Sequence, residues 1–509
     1  MTSVRALCLT LALASALISS NAMAASPAAA PMPGYAGSAS CTDCHATEAR
    51  LWRGSHHDLA MAEPSEETVL GDFDDAELTA HGITSRFFRN DRGWFVRTDG
   101  QDGELHDYRI AYTFGWTPLQ QYLIELPGGR LQALGLAWDS RPAEAGGQRW
   151  FHLYPDEADM GPDHPLHWTG RDQTWNYQCA ECHSTGLVKG YDLASDSYQT
   201  SWAEIDVACE ACHGPAARHV SPARAAATGN TCAWTEDMGL AMDFADRDGA
   251  TWLIDPDTGL PRRSVPRTKH METELCARCH SRRGQISQDY VHGKPLADTH
   301  LLSLLEPGRY WADGQILDEV FVHGSFLQSR MYAAGVTCSD CHDPHSLQLK
   351  QPGDLVCAQC HPVQRYAAAT HHHHEPESAG ASCIGCHMPQ RTYMVVDDRA
   401  DHSLRIPRPD LTLEIGTPNA CNGCHMDQTA DWAQTAITTW YGTGTSDTPH
   451  YGQAIHAGRS GTPDASEHLL ALATDNAQPA IARATALDLM HSDPRPEQLQ
   501  AMPGLLTDP

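Results

Sequence analysis

The chain has 509 residues, with 35 Lys and Arg against 64 Asp and Glu, for a formal net charge of −29. So acidic a surface repels nucleic acid and anionic lipid, and it favours cationic protein partners or a saline medium. Only four lysines occur (Lys189, Lys269, Lys294 and Lys350), beside 18 cysteines and 30 histidines.

Residues 1–24 read as a secretory signal peptide. Arg5 supplies the positive start, Ala6–Ser19 the apolar run, and Ala22-Met23-Ala24 a small-x-small cleavage site. Cys8 lies inside that run, so it is not placed as a lipoprotein cysteine. The run is too short to span a bilayer, and nothing later approaches transmembrane length. The expected location is therefore periplasmic or otherwise exported.

Residues 25–59 form a first segment around Cys41-Thr-Asp-Cys44-His45. From 60 to 170 the pattern changes. Stretches 86–98, 108–114 and 120–126 lean towards strand, punctuated by Pro127-Gly128-Gly129 and Gly146-Gly147, so a small β-rich insert is expected here. It reads as a shield for the first motif, or as a docking or access element.

Residues 171–428 hold seven more Cys-x-x-Cys-His motifs. These are Cys179, Cys182 and His183; Cys209, Cys212 and His213; Cys276, Cys279 and His280; Cys338, Cys341 and His342; Cys357, Cys360 and His361; Cys383, Cys386 and His387; and Cys421, Cys424 and His425. Each reads as a c-type haem attachment site, two thiols for the vinyl groups and an adjacent His as proximal iron ligand. Zinc sites and thioredoxin-type motifs do not require His at that position, and here it follows all eight times. The expected cofactor is eight covalently bound haem c groups, which use 16 of the cysteines. The porphyrins should then replace an ordinary core. The expected fold is mainly α with extensive loops around stacked haems, little strand in this segment, and each motif on a helical turn.

Beyond His425, from 429 to 509, Ala/Leu patterns predict helices over 431–440, 466–474 and 479–490, the last with Ile481, Ala484, Leu487 and Met490 on one side. Paired helices of this kind resemble the start of a HEAT or tetratricopeptide repeat, which offers protein contacts and reads as truncated at Pro509.

Eight six-coordinate irons need eight further ligands, and 22 histidines remain outside the motifs. His57, with His56 as rival, lies a helical distance after the first motif. His345 and His219 sit too close after their own motifs to reach the far face of the same haem, so each should ligate a neighbour. His402 stands alone among turn residues, and His371–His374 is a run expected to give one or two ligands, with His374 chosen. His300 completes this set, with His292, His270 and His323 as substitutes.

From Gly37 to about Trp440 the chain resembles exported multihaem cytochromes of the tetrahaem-cytochrome and hydroxylamine-oxidoreductase superfamily. The doubled motif at 338–361 resembles the paired-CXXCH domain, in which a Pro-His after the first motif provides a ligand. The phrases Tyr112-Thr-Phe-Gly, Pro118-Leu-Gln-Gln-Tyr122, Trp150-Phe-His-Leu-Tyr-Pro155, Trp168-Thr-Gly-Arg-Asp-Gln-Thr-Trp-Asn176 and Arg405-Ile-Pro-Arg-Pro-Asp410 resemble a group that joins such a cytochrome to C-terminal helical repeats. That resemblance implies His152 and His167 as further iron ligands. It admits two functions. One is an electron carrier between redox partners, other cytochromes or a quinol-oxidising complex, with every iron bis-His and none kept open. The other is an oxidoreductase on nitrite, hydroxylamine or a sulfur oxyanion at one open haem. Some relatives of the second kind replace a proximal His by Lys, and no lysine here follows a Cys-x-x-Cys.

Overall fold

A computed structural model describes residues 32–228, 235, 237–242, 244, 249–256, 259–444, 446–490 and 504. The signal peptide and the chain end past Met490, apart from Gly504, lie outside them. Of the chain, 32% is helical and 20% strand, which overturns the expectation of a mainly α fold.

The difference is one large antiparallel sheet. Its strands are β1 (Met61–Ala62), β2 (Asp74–Ala80), β3 (Ile83–Asn90), β4 (Gly93–Asp99), β5 (Leu105–Phe114), β6 (Leu119–Leu126), β7 (Arg130–Ala133), β8 (Leu136–Asp139) and β9 (Arg149–His152). Seven run in the order β2-β3-β4-β5-β6-β8-β9, and the sheet curls until its two edges nearly meet. The stretch read as one strand over 86–98 is a hairpin, because Asn90 pairs with Gly93 and turns the chain. Closure is aromatic: Phe87 of β3 stacks on Trp150 of β9 with ring centroids 3.5 Å apart and planes 4° apart. Such a pair adds about 0.5–1.5 kcal/mol beyond its buried area. Gly71 lies under this stack, where a Cβ would stand 2.6 Å from Tyr122 Oη and 2.7 Å from Trp150, so only glycine fits without a shift.

Strand β6 is buried on both faces along Leu119–Ile124, and its side chains alternate between two cores. Tyr122 and Ile124 join the barrel interior with Phe73, Val96 and Trp138. Leu123 points the other way, to Met61, Phe114, Trp175 and Ala180. The sheet is therefore a wall against which the segment of the Cys179 motif packs.

Past residue 171 helices are mostly single turns, and among the described residues four further two-stranded antiparallel pairs occur, such as Arg283–Gln285 with His300–Leu302. Loops that must reach around a flat prosthetic group leave little room for long helices. The C-terminal helices are longer: Ala430–Tyr441, Tyr451–Ser460, Ala465–Thr474 and Ala480–Met490. Tyr451–Ser460 has no counterpart in the sequence reading, since its Gly, His and Gln hide the period. These helices do not hang free. Ile455, Leu469, Ile481 and Met490 bury against Leu305, Tyr310 and Val320, and Arg459 donates to the carbonyls of Tyr310 and Leu305 at 3.0 and 2.6 Å.

Candidate functional site

Each motif is a single turn. The amide of the motif His donates to the carbonyl of the first Cys at 2.8–2.9 Å in the motifs of His45, His342, His361 and His425. One turn brings residues one, four and five to the same side, which is what two thioethers and a ligand on one ring require. All eight motifs line one continuous cavity of about 3980 Å³, against roughly 300–1,000 Å³ for a single small-molecule site. The space fits several large planar groups in contact, not one ligand.

The thiols order the motifs. The side chains of Cys41 and Cys209 are neighbours, as are those of Cys182 and Cys279, Cys276 and Cys338, and Cys357 and Cys383. Cys212 lies within electrostatic reach of Cys279, Cys341 of Cys357 and Cys360, and Cys386 of Cys424. The motifs of His45, His213, His280, His342, His361, His387 and His425 thus follow one another, and that of His183 branches from that of His280. A buried ion pair locks the branch. Glu181, inside the Cys179 motif, meets Arg278, inside the Cys276 motif, at 3.5 Å and Arg283 at 3.1 Å.

Six motif imidazoles face a second imidazole across a constant gap. The pairs and ring-centroid distances are His45–His219 at 6.3 Å, His280–His57 at 6.4 Å, His213–His345 at 6.5 Å, His342–His402 at 6.5 Å, His387–His371 at 6.1 Å and His425–His374 at 6.0 Å. Two metal–imidazole bonds of about 2 Å each, plus about 1 Å from each nitrogen to its ring centre, give a separation of about 6 Å. A hydrogen bond of the other nitrogen fixes the tautomer in several. Nδ1–H donates to a carbonyl in His183 (Ala60, 2.9 Å), His219 (Met238, 2.9 Å), His374 (His372, 2.5 Å), His387 (Arg405, 2.7 Å) and His402 (Ala400, 2.9 Å). A carbonyl only accepts, so Nε2 is left as a lone-pair donor for a metal. Burial also drives the imidazoles toward the neutral form. It pushes His57 down to about 4 and lowers His183, His213, His280, His342 and His402.

The doubled CXXCH motif family matches residues 331–366, and the cytochrome c554 and c-prime family matches residues 158–214. The chain is a multihaem c-type cytochrome. Its fold is similar to that of the outer cell wall cytochrome OcwA, at 18% identity and a TM-score of 0.52, over 90% of this chain and 98% of that one. An undecahaem cytochrome from the S-layer of Carboxydothermus ferrireducens aligns at 16% identity with a TM-score of 0.39, over 92% of this chain and 71% of that one. No curated protein matches the chain.

Five of the cytochrome's expected second ligands, His57, His219, His345, His374 and His402, face a motif His, and His56 does not displace His57. Three others are placed elsewhere. Nδ1 of His152 accepts from the Tyr154 amide, and its ring packs edge-on against His81 at 4.5 Å. His167 is held between Asp99, 3.1 Å from Nε2, and Thr169, 2.8 Å from Nδ1. His300 is held between Glu181, 3.1 Å from Nε2, and Thr299, 2.9 Å from Nδ1. With both nitrogens engaged, His167 and His300 have no lone pair to offer iron; they are polar ties inside the fold. His292, a substitute in the sequence reading, donates Nε2–H to the Ala211 carbonyl at 3.0 Å.

His371, which the sequence marks only as a member of the four-His run, is the residue that faces His387. Among the described residues no imidazole faces His183 or His361 in this way. The ring beside His183 is Phe114 at 5.4 Å, and the ring beside His361 is Tyr366 at 5.3 Å. No described helix is long and apolar enough to cross a membrane.

Proposed function

We propose that the protein is an exported octahaem cytochrome that passes electrons between redox partners along its haems. The observation that carries this reading is that all eight motifs line one continuous cavity, in which six motif imidazoles each face a second imidazole. Haems held by neighbouring motifs along that cavity would pass electrons from one to the next. In this reading six irons carry two imidazoles each, His45 with His219, His213 with His345, His280 with His57, His342 with His402, His387 with His371, and His425 with His374. Export is supported by the leader pattern around Arg5 and by the outer cell wall location named for OcwA. Pyridine haemochrome analysis with intact mass tests the count: eight haems on the mature chain are expected, and six or fewer in fully matured protein would refute it.

The surroundings of His183 and His361 favour a second reading, in which one of these two irons offers a face to a small nitrogen or sulfur compound. The His183 motif is the better candidate, because it branches from the Cys276 motif and its imidazole packs edge-on against Phe114 of the sheet wall. Turnover of nitrite, hydroxylamine or sulfite with a reduced dye, abolished by His183→Ala, would support it.

A further inference from the structure

The helix Ala430–Tyr441 starts five residues past His425, yet three of its aromatic side chains reach back to His425 and to the 371–374 run. At its start Trp432 lies 4.9 Å from the His425 ring. At its end Trp440 stacks on His373, with centroids 4.3 Å apart and planes 4° apart. Beside it, Tyr441 donates its hydroxyl to the His371 carbonyl, and its ring meets that of His373 edge-on at 5.7 Å.

His373 is the pivot of the four-His run. Its backbone is left-handed (φ 55°, ψ 27°), a conformation that a residue with a side chain keeps only where its surroundings enforce it. That reversal sends His371 to His387 and His374 to His425, two imidazoles three residues apart serving two different haems. Nε2 of His373 is buried without a hydrogen-bond partner, so the Trp440 stack is what holds the ring. Trp440 and Tyr441 are themselves 36% and 46% exposed. Their contacts serve the loop more than any core.

We propose that Trp440 and Tyr441 are positioning residues for the axial ligands of the last two haems. They hold the 371–374 loop so that His371 and His374 reach the irons attached at Cys383–Cys386 and Cys421–Cys424. The C-terminal helix thereby sets the spin state and potential of the far end of the haem chain. This rests on the two-imidazole reading of those two irons.

The test uses mature holoprotein, with carbon monoxide titrated into the reduced form and electron paramagnetic resonance of the oxidised form. The double variant Trp440→Ala/Tyr441→Ala should keep all its haems and bind two more equivalents of carbon monoxide than the wild type. It should lose two low-spin signals and regain them with added imidazole, which a loss of packing alone would not produce. Trp440→Phe, which keeps the stack, should behave as wild type. Should the double variant not mature, Trp440→Leu carries the test, with at least one extra equivalent expected. Wild-type carbon monoxide stoichiometry and spectra in the variant that matures would overturn the proposal. His371→Ala and His374→Ala separate the two layers, since each should gain one equivalent. If neither does, the ligand assignment has failed and the positioning role falls with it.

Discussion

The imidazoles of His345 and His213 lie parallel, with centroids 6.5 Å apart and planes 11° apart, although His345 belongs to the peptide of the Cys338 motif. The same lacing sends His219 to His45 and His57 to His280. His345→Ala should therefore convert one iron to high spin, the one attached at Cys209 and Cys212, and leave the Cys338 haem low-spin. A holoprotein crystal structure with His345 in solvent, or on its own motif's iron, would contradict this.

His300 has the opposite prediction. Its side chain is fully buried and tied to Glu181 and Thr299. His300→Ala should leave the number of low-spin irons unchanged while removing on the order of 2–3 kcal/mol of stability, the loss expected when a buried bond to a charged group is broken. Electron paramagnetic resonance and denaturant melts on the same sample would decide; a new high-spin signal would make His300 a ligand after all.

Asp206 should make stability depend on pH. Burial, with Glu204 and Asp58 nearby, pushes its carboxyl up to about 8, and Oδ1 has no partner. The folded protein then holds a proton that the unfolded chain releases near the ordinary 3.8. A raised folded value contributes stability below the unfolded value and loses it as pH rises through the folded one, here between about pH 4 and 8. Asp206→Asn should flatten that part of the profile and raise the melting temperature at pH 8 relative to wild type. Parallel profiles for the two proteins would sink the assignment.

Charge governs the response to salt. A net charge of −29 means self-repulsion in dilute buffer, which screening over a Debye length of about 10 Å at 0.1 M relieves. Thermal melts from low to molar salt should rise; a flat or falling series would refute this.

The motif residues were legible because covalent attachment needs two thiols and a ligand within one turn, a constraint written in five consecutive residues. Second ligands obey no such local rule. His167 and His371 differ in what surrounds them in space: the first meets Asp99 and Thr169, the second faces the His387 ring. The sheet was read too small because β2 carries Asp74, Asp75 and Glu77 on a half-exposed strand, and such a strand lacks a clear apolar alternation. Its closure depends on Phe87 meeting Trp150 some sixty residues on in the chain, a pairing that no window of sequence contains.

A chain of eight haems, six of them with two imidazoles, can be read out by quantitative electron paramagnetic resonance of the oxidised holoprotein, with the haem count from mass on the same sample. Eight haems are expected, with six low-spin irons and two irons outside that set, those of His183 and His361. Fewer than six low-spin irons in fully loaded protein, or imidazoles on all eight, would contradict it.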